Sequence, residues 1–144
     1  MLKRISTVAA LLMAIVSVTV EAQTRVANPK RAAAQPDLSI KEFSFPPTND
    51  KALRVNVINS GNAVSAPSIL RLTVRKINGV AVGRTTEIKI PALPAGKDKW
   101  VVIDAKSILP NNVALESTTF KLNADAGQTV AESDEDNNEK WHNL

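Results

Sequence analysis

Four acids crowd into nine residues near the C-terminal end of this chain. The stretch Val130 to Asn138, VAESDEDNN, carries Glu132, Asp134, Glu135 and Asp136 and closes on Asn137 and Asn138. Carboxylates and amide carbonyls are the hard oxygen donors that Ca2+ takes. On that reading Asp134, Asp136 and Asn138, at alternate positions, are the ligands, with help from Asp125 or Glu132. The spacing departs from an EF-hand, because Glu139 stands where that loop needs Gly. The same residue types serve a second purpose. Asn and Asp side chains mimic a turn's own backbone, so Glu132, Asn137 and Asn138 would hydrogen-bond backbone groups in a tight connection between the last two strands. The turn reading is preferred, and Ca2+ is the cofactor that the residue types suggest as its rival.

No residue pattern supports catalysis. His142 is the only histidine and lies near no nucleophile motif of the G-x-S-x-G kind, so it reads as a solvated residue of an edge strand. A carboxylate pair for glycoside hydrolysis would have to flank a cleft, for which a small sandwich has little room. Aromatic residues make up 3% of the chain. Phe43, Phe120, Trp100 and Trp141 accordingly read as core rather than as a sugar platform. An exposed Trp100 would reverse that in favour of carbohydrate binding.

The elements that must position the acidic stretch read as short strands. Leu38, Ile40 and Phe43 alternate within Asp37 to Phe45, which Pro46-Pro47 ends. Leu53, Val55 and Val57 oppose Arg54 and Asn56, and Asn59-Ser60-Gly61-Asn62 supplies a turn. From Ile69 to Lys76, Leu70, Leu72 and Val74 face inward while Arg71, Thr73 and Arg75 face outward. Asn78-Gly79 then predicts a hairpin with a type I′ turn. Further strands follow over Thr85 to Ile90, Lys99 to Asp104 and Ser117 to Ala124, the last with Phe120, Leu122 and Ala124 inward. Glu139 to Leu144 makes a final edge strand. Without a convincing helix, this predicts an all-β fold, an immunoglobulin-like antiparallel β-sandwich of about seven strands. With neither Cys nor Tyr it has no inter-sheet disulfide and no tyrosine corner.

The N-terminal segment reads as an address. Lys3 and Arg4 precede an apolar run from Ile5 to Val20, and Val20-Glu21-Ala22 offers small residues for cleavage after Ala22. Residues 1–22 are therefore expected to be a signal peptide and 23–36 a flexible linker, with the domain spanning 37–144. Cleavage would leave no stable membrane anchor, and the product would be periplasmic or secreted. An exported domain without cysteine must be stable on core burial alone. The formal charge of +4 does not mark a nucleic-acid binder, because from Asp37 onward 13 basic side chains meet 13 acidic ones.

Four segments carry a resemblance: PDLSI at Pro36 to Ile40, VINSGNAVSAP at Val57 to Pro67, IPALPAG at Ile90 to Gly96, and ADAGQTVAESDEDNN at Ala124 to Asn138. In this order they resemble the CARDB family, the cell-adhesion-related domain found in bacteria. The resemblance implies a seven-stranded immunoglobulin-like sandwich of exported or surface proteins, with adhesion as the expected role. The family is often repeated within large surface proteins, whereas this sequence holds a single copy.

Protein binding is the function that survives these exclusions, with an unidentified envelope or extracellular protein as partner. Strand parity puts Arg71 and Arg75 on an outward face with Lys121, a basic patch away from the acidic turn that would steer a charged partner. A calcium-stabilised structural module and a carbohydrate-binding module are the alternatives.

Overall fold

The computed structural model describes residues 33–144. The expected signal peptide and residues 23–32 of the expected linker lie outside the described residues. Among the described residues no helix is long and apolar enough to cross a membrane.

Among the described residues seven strands form two antiparallel sheets. They are β1 (Leu38–Ser44), β2 (Ala52–Asn59), β3 (Ser68–Ile77), β4 (Val80–Ile90), β5 (Asp98–Asp104), β6 (Thr118–Asn123) and β7 (Glu139–His142). One sheet has the order β1-β2-β5 and the other β4-β3-β6-β7. This is the immunoglobulin-like sandwich that the strand pattern predicts. A single turn of 3-10 helix, Leu115–Ser117, leads into β6.

Alternation places the core. Leu53, Val55 and Val57 of β2 meet Leu70, Leu72 and Val74 of β3 and Phe120 and Leu122 of β6, all with no solvent exposure. At roughly 25 cal/mol per Å2 of apolar surface, this inter-sheet burial is the main favourable term holding a fold that contains no disulfide. The β3–β4 hairpin turns on Asn78 and Gly79, both at positive φ (49° and 75°), as a type I′ turn requires. Its second strand begins at Val80, five residues before the sequence pattern predicts, because the ladder resumes at Ile77↔Val80.

Two bulges break the parity. In β1 the register shifts between Ile40 and Glu42, which makes Lys41 the extra residue. In β3 it shifts between Val74 and Lys76, so Arg75 has no ladder partner and Lys76 pairs with Ala81 and Thr119.

Two expectations about aromatic residues need correction. Trp100 and Trp141 are not core: they are 41% and 47% exposed. In the run Trp100-Val101-Val102-Ile103, Val101 and Ile103 take the inward positions, leaving Trp100 outside with Val102. His142, expected to be solvated, is half-buried. It stacks on Phe120 at 4.8 Å and meets Phe43 and Phe45 edge-on, closing one end of the sandwich. Its Nε2 lies 3.0 Å from the Glu116 carbonyl, a partner that suits a structural role.

Candidate functional site

Four segments distant in sequence meet at the end of the sandwich where β1 begins and β7 begins. Asn59, the last residue of β2, is the hub. Its Oδ1 accepts the Asp37 and Gly61 N–H groups at 3.0 and 3.1 Å, and its Nδ2 donates to the Ala63 and Leu93 carbonyls at 2.8 and 2.9 Å. Its own N–H and C=O bond Lys97 and Gly96. One fully buried side chain thereby satisfies the entry to β1, the β2–β3 turn and the Pro91 to Gly96 connection. The turn must come close: a Cβ on Gly61 would lie 2.4 Å from the Gln35 carbonyl oxygen and 2.6 Å from the Asp37 nitrogen. Gln35 and Pro36, read from sequence as linker, are fixed here. Gln35 exchanges bonds with Asn62, and the Pro36 carbonyl accepts the Ser133 N–H at 3.0 Å.

The acidic stretch docks onto this hub. Glu132 is 7% exposed, with Oε1 accepting the Leu38 N–H and Oε2 accepting Asn138 Nδ2. Burial pushes its carboxyl above the usual range, against the lowering effect of those two hydrogen bonds, and the nearby Asp125 and Glu135 charges push it further. Asn137 Nδ2 donates to Asp37 Oδ1 at 2.7 Å. Asp125, at φ 49°, caps its own loop: Oδ1 accepts from the Thr129 N–H and hydroxyl, and Oδ2 from the Val130 N–H. Glu135 Oε1 accepts the Glu132 N–H, and Asp134 Oδ1 accepts the Asp136 N–H.

The five residues read as Ca2+ ligands are thus only partly brought together. Asp125, Asp136 and Asn138 line one cleft of about 260 Å3, while Glu132 lies behind Asn138 and Asp134 is outside the lining. Among the described residues no group of three or more His, Cys, Asp or Glu side chains is arranged to hold a metal.

Two of the three residues read as a basic patch are paired with acids. Arg71 pairs with Glu87 at 2.6 Å across β3–β4, and Lys121 pairs with Glu139 at 2.5 Å across β6–β7 while lying over the Trp141 ring. Arg75 is exposed at the bulge.

On the opposite sheet, sequence reasoning missed a surface. The outer face of β1-β2-β5 presents Trp100 and Val102, 41% and 53% exposed, with the Arg54 guanidinium 5.0 Å from the indole centroid. Asn56, the ladder partner of Trp100, is 2% exposed, donates to Asp98 Oδ2 at 2.9 Å, and leaves its Oδ1 unpartnered. Lys41, extruded by the β1 bulge, pairs with the same Asp98 oxygen at 3.2 Å. The Asn56 hydrogen bond and Lys41 together lower the Asp98 carboxyl below its usual value. The signal in the sequence was the alternation of Val101 and Ile103, which forces Trp100 outward.

A two-sheet antiparallel sandwich with a polar hub at one end defines an immunoglobulin-like module. The chain belongs to the CARDB family, which matches residues 35–142, and is thus an adhesion-related module of that kind. Among solved structures it is similar to a CARDB domain from Pyrococcus furiosus, determined in complex with di-metal ions. The two are 18% identical over 74% of this chain and 84% of the other, with a TM-score of 0.49. No curated protein matches the chain.

Proposed function

We propose that this chain is an exported, non-catalytic interaction module that binds a protein partner at the bacterial cell envelope through the outer face of β1-β2-β5. The observation that carries the reading is the exposure of Trp100 beside Arg54 and Val102. Trp and Arg are the residues most enriched among those that dominate binding energy, and they act best when held rigid before binding. Here the indole stands on the strand beside its ladder partner Asn56 and is flanked by the guanidinium, with Lys41, Asp98 and Asp104 as a polar rim. Membership of an adhesion-related family supports the same reading, and the apolar run with its small-residue cleavage site supports export to the periplasm or beyond.

The test is capture by photo-crosslinking from envelope fractions, comparing the protein with Trp100→Ala and Arg54→Ala variants of unchanged thermal midpoint. Loss of one discrete crosslinked partner in both variants supports the reading; capture that survives both substitutions overturns it. The exposed indole also favours a second reading, carbohydrate binding, since sugar rings stack on such platforms. Retardation in polysaccharide-containing native gels, abolished by Trp100→Ala, would establish that reading in place of the first.

A further inference from the structure

The turn between β6 and β7 holds a feature that the Trp100 face does not explain. Its cleft of about 260 Å3 is walled by the acids Asp125, Glu135, Asp136 and Glu139 and by the amides Asn123, Gln128 and Asn138, with no basic residue in the lining. Asn138 is 6% exposed and spends its Nδ2 on Glu132, yet its Oδ1 has no partner. A buried carbonyl oxygen left unbonded costs about 1–3 kcal/mol, and a donor in the cleft that Asn138 lines recovers that cost once the enclosed amide turns toward it. Other acceptor capacity is free nearby. Glu135 uses only Oε1, and the Asp136 carboxylate accepts no hydrogen bond among the described residues. The remaining acid, Glu139, is already met by Lys121.

We propose that this cleft receives the ammonium or guanidinium end of a basic side chain presented by a partner protein. The lining offers acceptors and negative charge, which is what an Arg fork with five N–H donors or a Lys head with three requires. A divalent metal needs something else. Ca2+ takes six to eight oxygens at roughly 2.3–2.6 Å, and among the described residues no three carboxylates converge in that way. The local field agrees, since the Asp125 and Glu135 charges help to raise the carboxyl of Glu132 behind the cleft. This site is separate from the Trp100 face, so either can fail while the other stands.

The experiment is an amide chemical-shift titration of the 15N-labelled protein with Nα-acetyl-arginine methylamide. The neutral isostere Nα-acetyl-citrulline methylamide and CaCl2 are titrated in parallel. The expected result is saturable movement of the Asn123, Asp125, Gln128, Asp136 and Asn138 amides with the arginine probe, and binding roughly tenfold or more weaker for citrulline. Asp136→Asn, at an exposed position, should weaken the arginine probe to a similar degree while leaving the Trp100 and Val102 amides unmoved. Glu135→Gln, which keeps an acceptor for the Glu132 N–H, should do the same. Equal response to citrulline, no saturable movement, or saturation of the same amides by Ca2+ at lower concentration than arginine would each overturn the proposal, the last in favour of a metal.

Discussion

The Glu132 carboxylate and the Leu38 amide, 94 residues apart, are joined by a 2.7 Å hydrogen bond at the buried end of the sandwich. The other carboxylate oxygen holds Asn138, so one side chain ties the first strand to the connection ahead of the last. Removing it by Glu132→Ala leaves two buried donors unmet and should cost roughly 2–4 kcal/mol in urea unfolding. Glu132→Gln should cost far less, because its carbonyl keeps the Leu38 N–H and Asn138 can turn its amide to offer Oδ1. The substitution also removes a pH dependence. Burial raises the folded-state pKa of Glu132 above its ordinary 4.5, so the folded protein binds the proton more tightly than the unfolded one. The stability this confers is full below the ordinary value and is lost as pH rises through the folded one. Unfolding free energy measured against pH should therefore fall more steeply across that window in the parent than in Glu132→Gln.

Asn59 is predicted to tolerate neither loss nor charge. Asn59→Ala abandons four hydrogen bonds at a fully buried position, and a loss of at least about 3 kcal/mol is expected from chemical denaturation. Asn59→Asp keeps the two acceptor contacts but turns a carboxylate oxygen toward the Ala63 and Leu93 carbonyls. It should be about as damaging at neutral pH and partly recover in acid, where the protonated carboxyl can donate once.

Gly61→Ala tests the close approach of the turn to the chain entering β1. The added methyl meets backbone atoms of Gln35, Pro36 and Asp37 at 2.4–2.6 Å, and backbone cannot swing aside as a flexible side chain does. A cost of about 1–3 kcal/mol follows. Hydrogen exchange should locate it: the Leu38 and Ser60 amides should lose protection, while those of Leu72 and Leu122 in the other sheet should keep it.

Lys51 is 9% exposed, and its Nζ donates to the carbonyls of Pro110 and Val113 in the loop between β5 and β6. Lys51→Met preserves the apolar stem and removes only the donor, leaving that loop's carbonyls without their cation. Thermal and urea unfolding should report a loss of roughly 2 kcal/mol. An unchanged midpoint would mean that water replaces the ammonium at no cost.

What the sequence discloses depends on the range of the interaction. Leu53, Val55 and Val57 declare their strand because alternation is local, and Asn78-Gly79 declares its turn because positive φ is a property of two residues. The turn character of VAESDEDNN was legible for the same reason. Its partners were not: Asp37 lies 100 residues from Asn137, and nothing in either sequence neighbourhood names the other. Asn59 reads as a turn residue because only tertiary packing encloses it, and the burial of Lys51 likewise has no local signal. The bulges at Lys41 and Arg75 shift parity by one residue, which periodicity cannot locate in advance. Two residues of the basic patch, Arg71 and Lys121, meet Glu87 and Glu139 on neighbouring strands, in registers that the sequence leaves open.

The join between β1 and the approach to β7 also decides how the domain meets mechanical tension. Glu132 to Leu38, Asn137 to Asp37 and Lys140 Nζ to the Lys41 carbonyl lie where a pull applied between the first and last strands is first felt. These are side-chain rivets rather than rungs of a backbone ladder, and each of the three contains an ionisable group. The force at which the sandwich starts to open therefore depends on salt and on the charge of Glu132 as well as on the core.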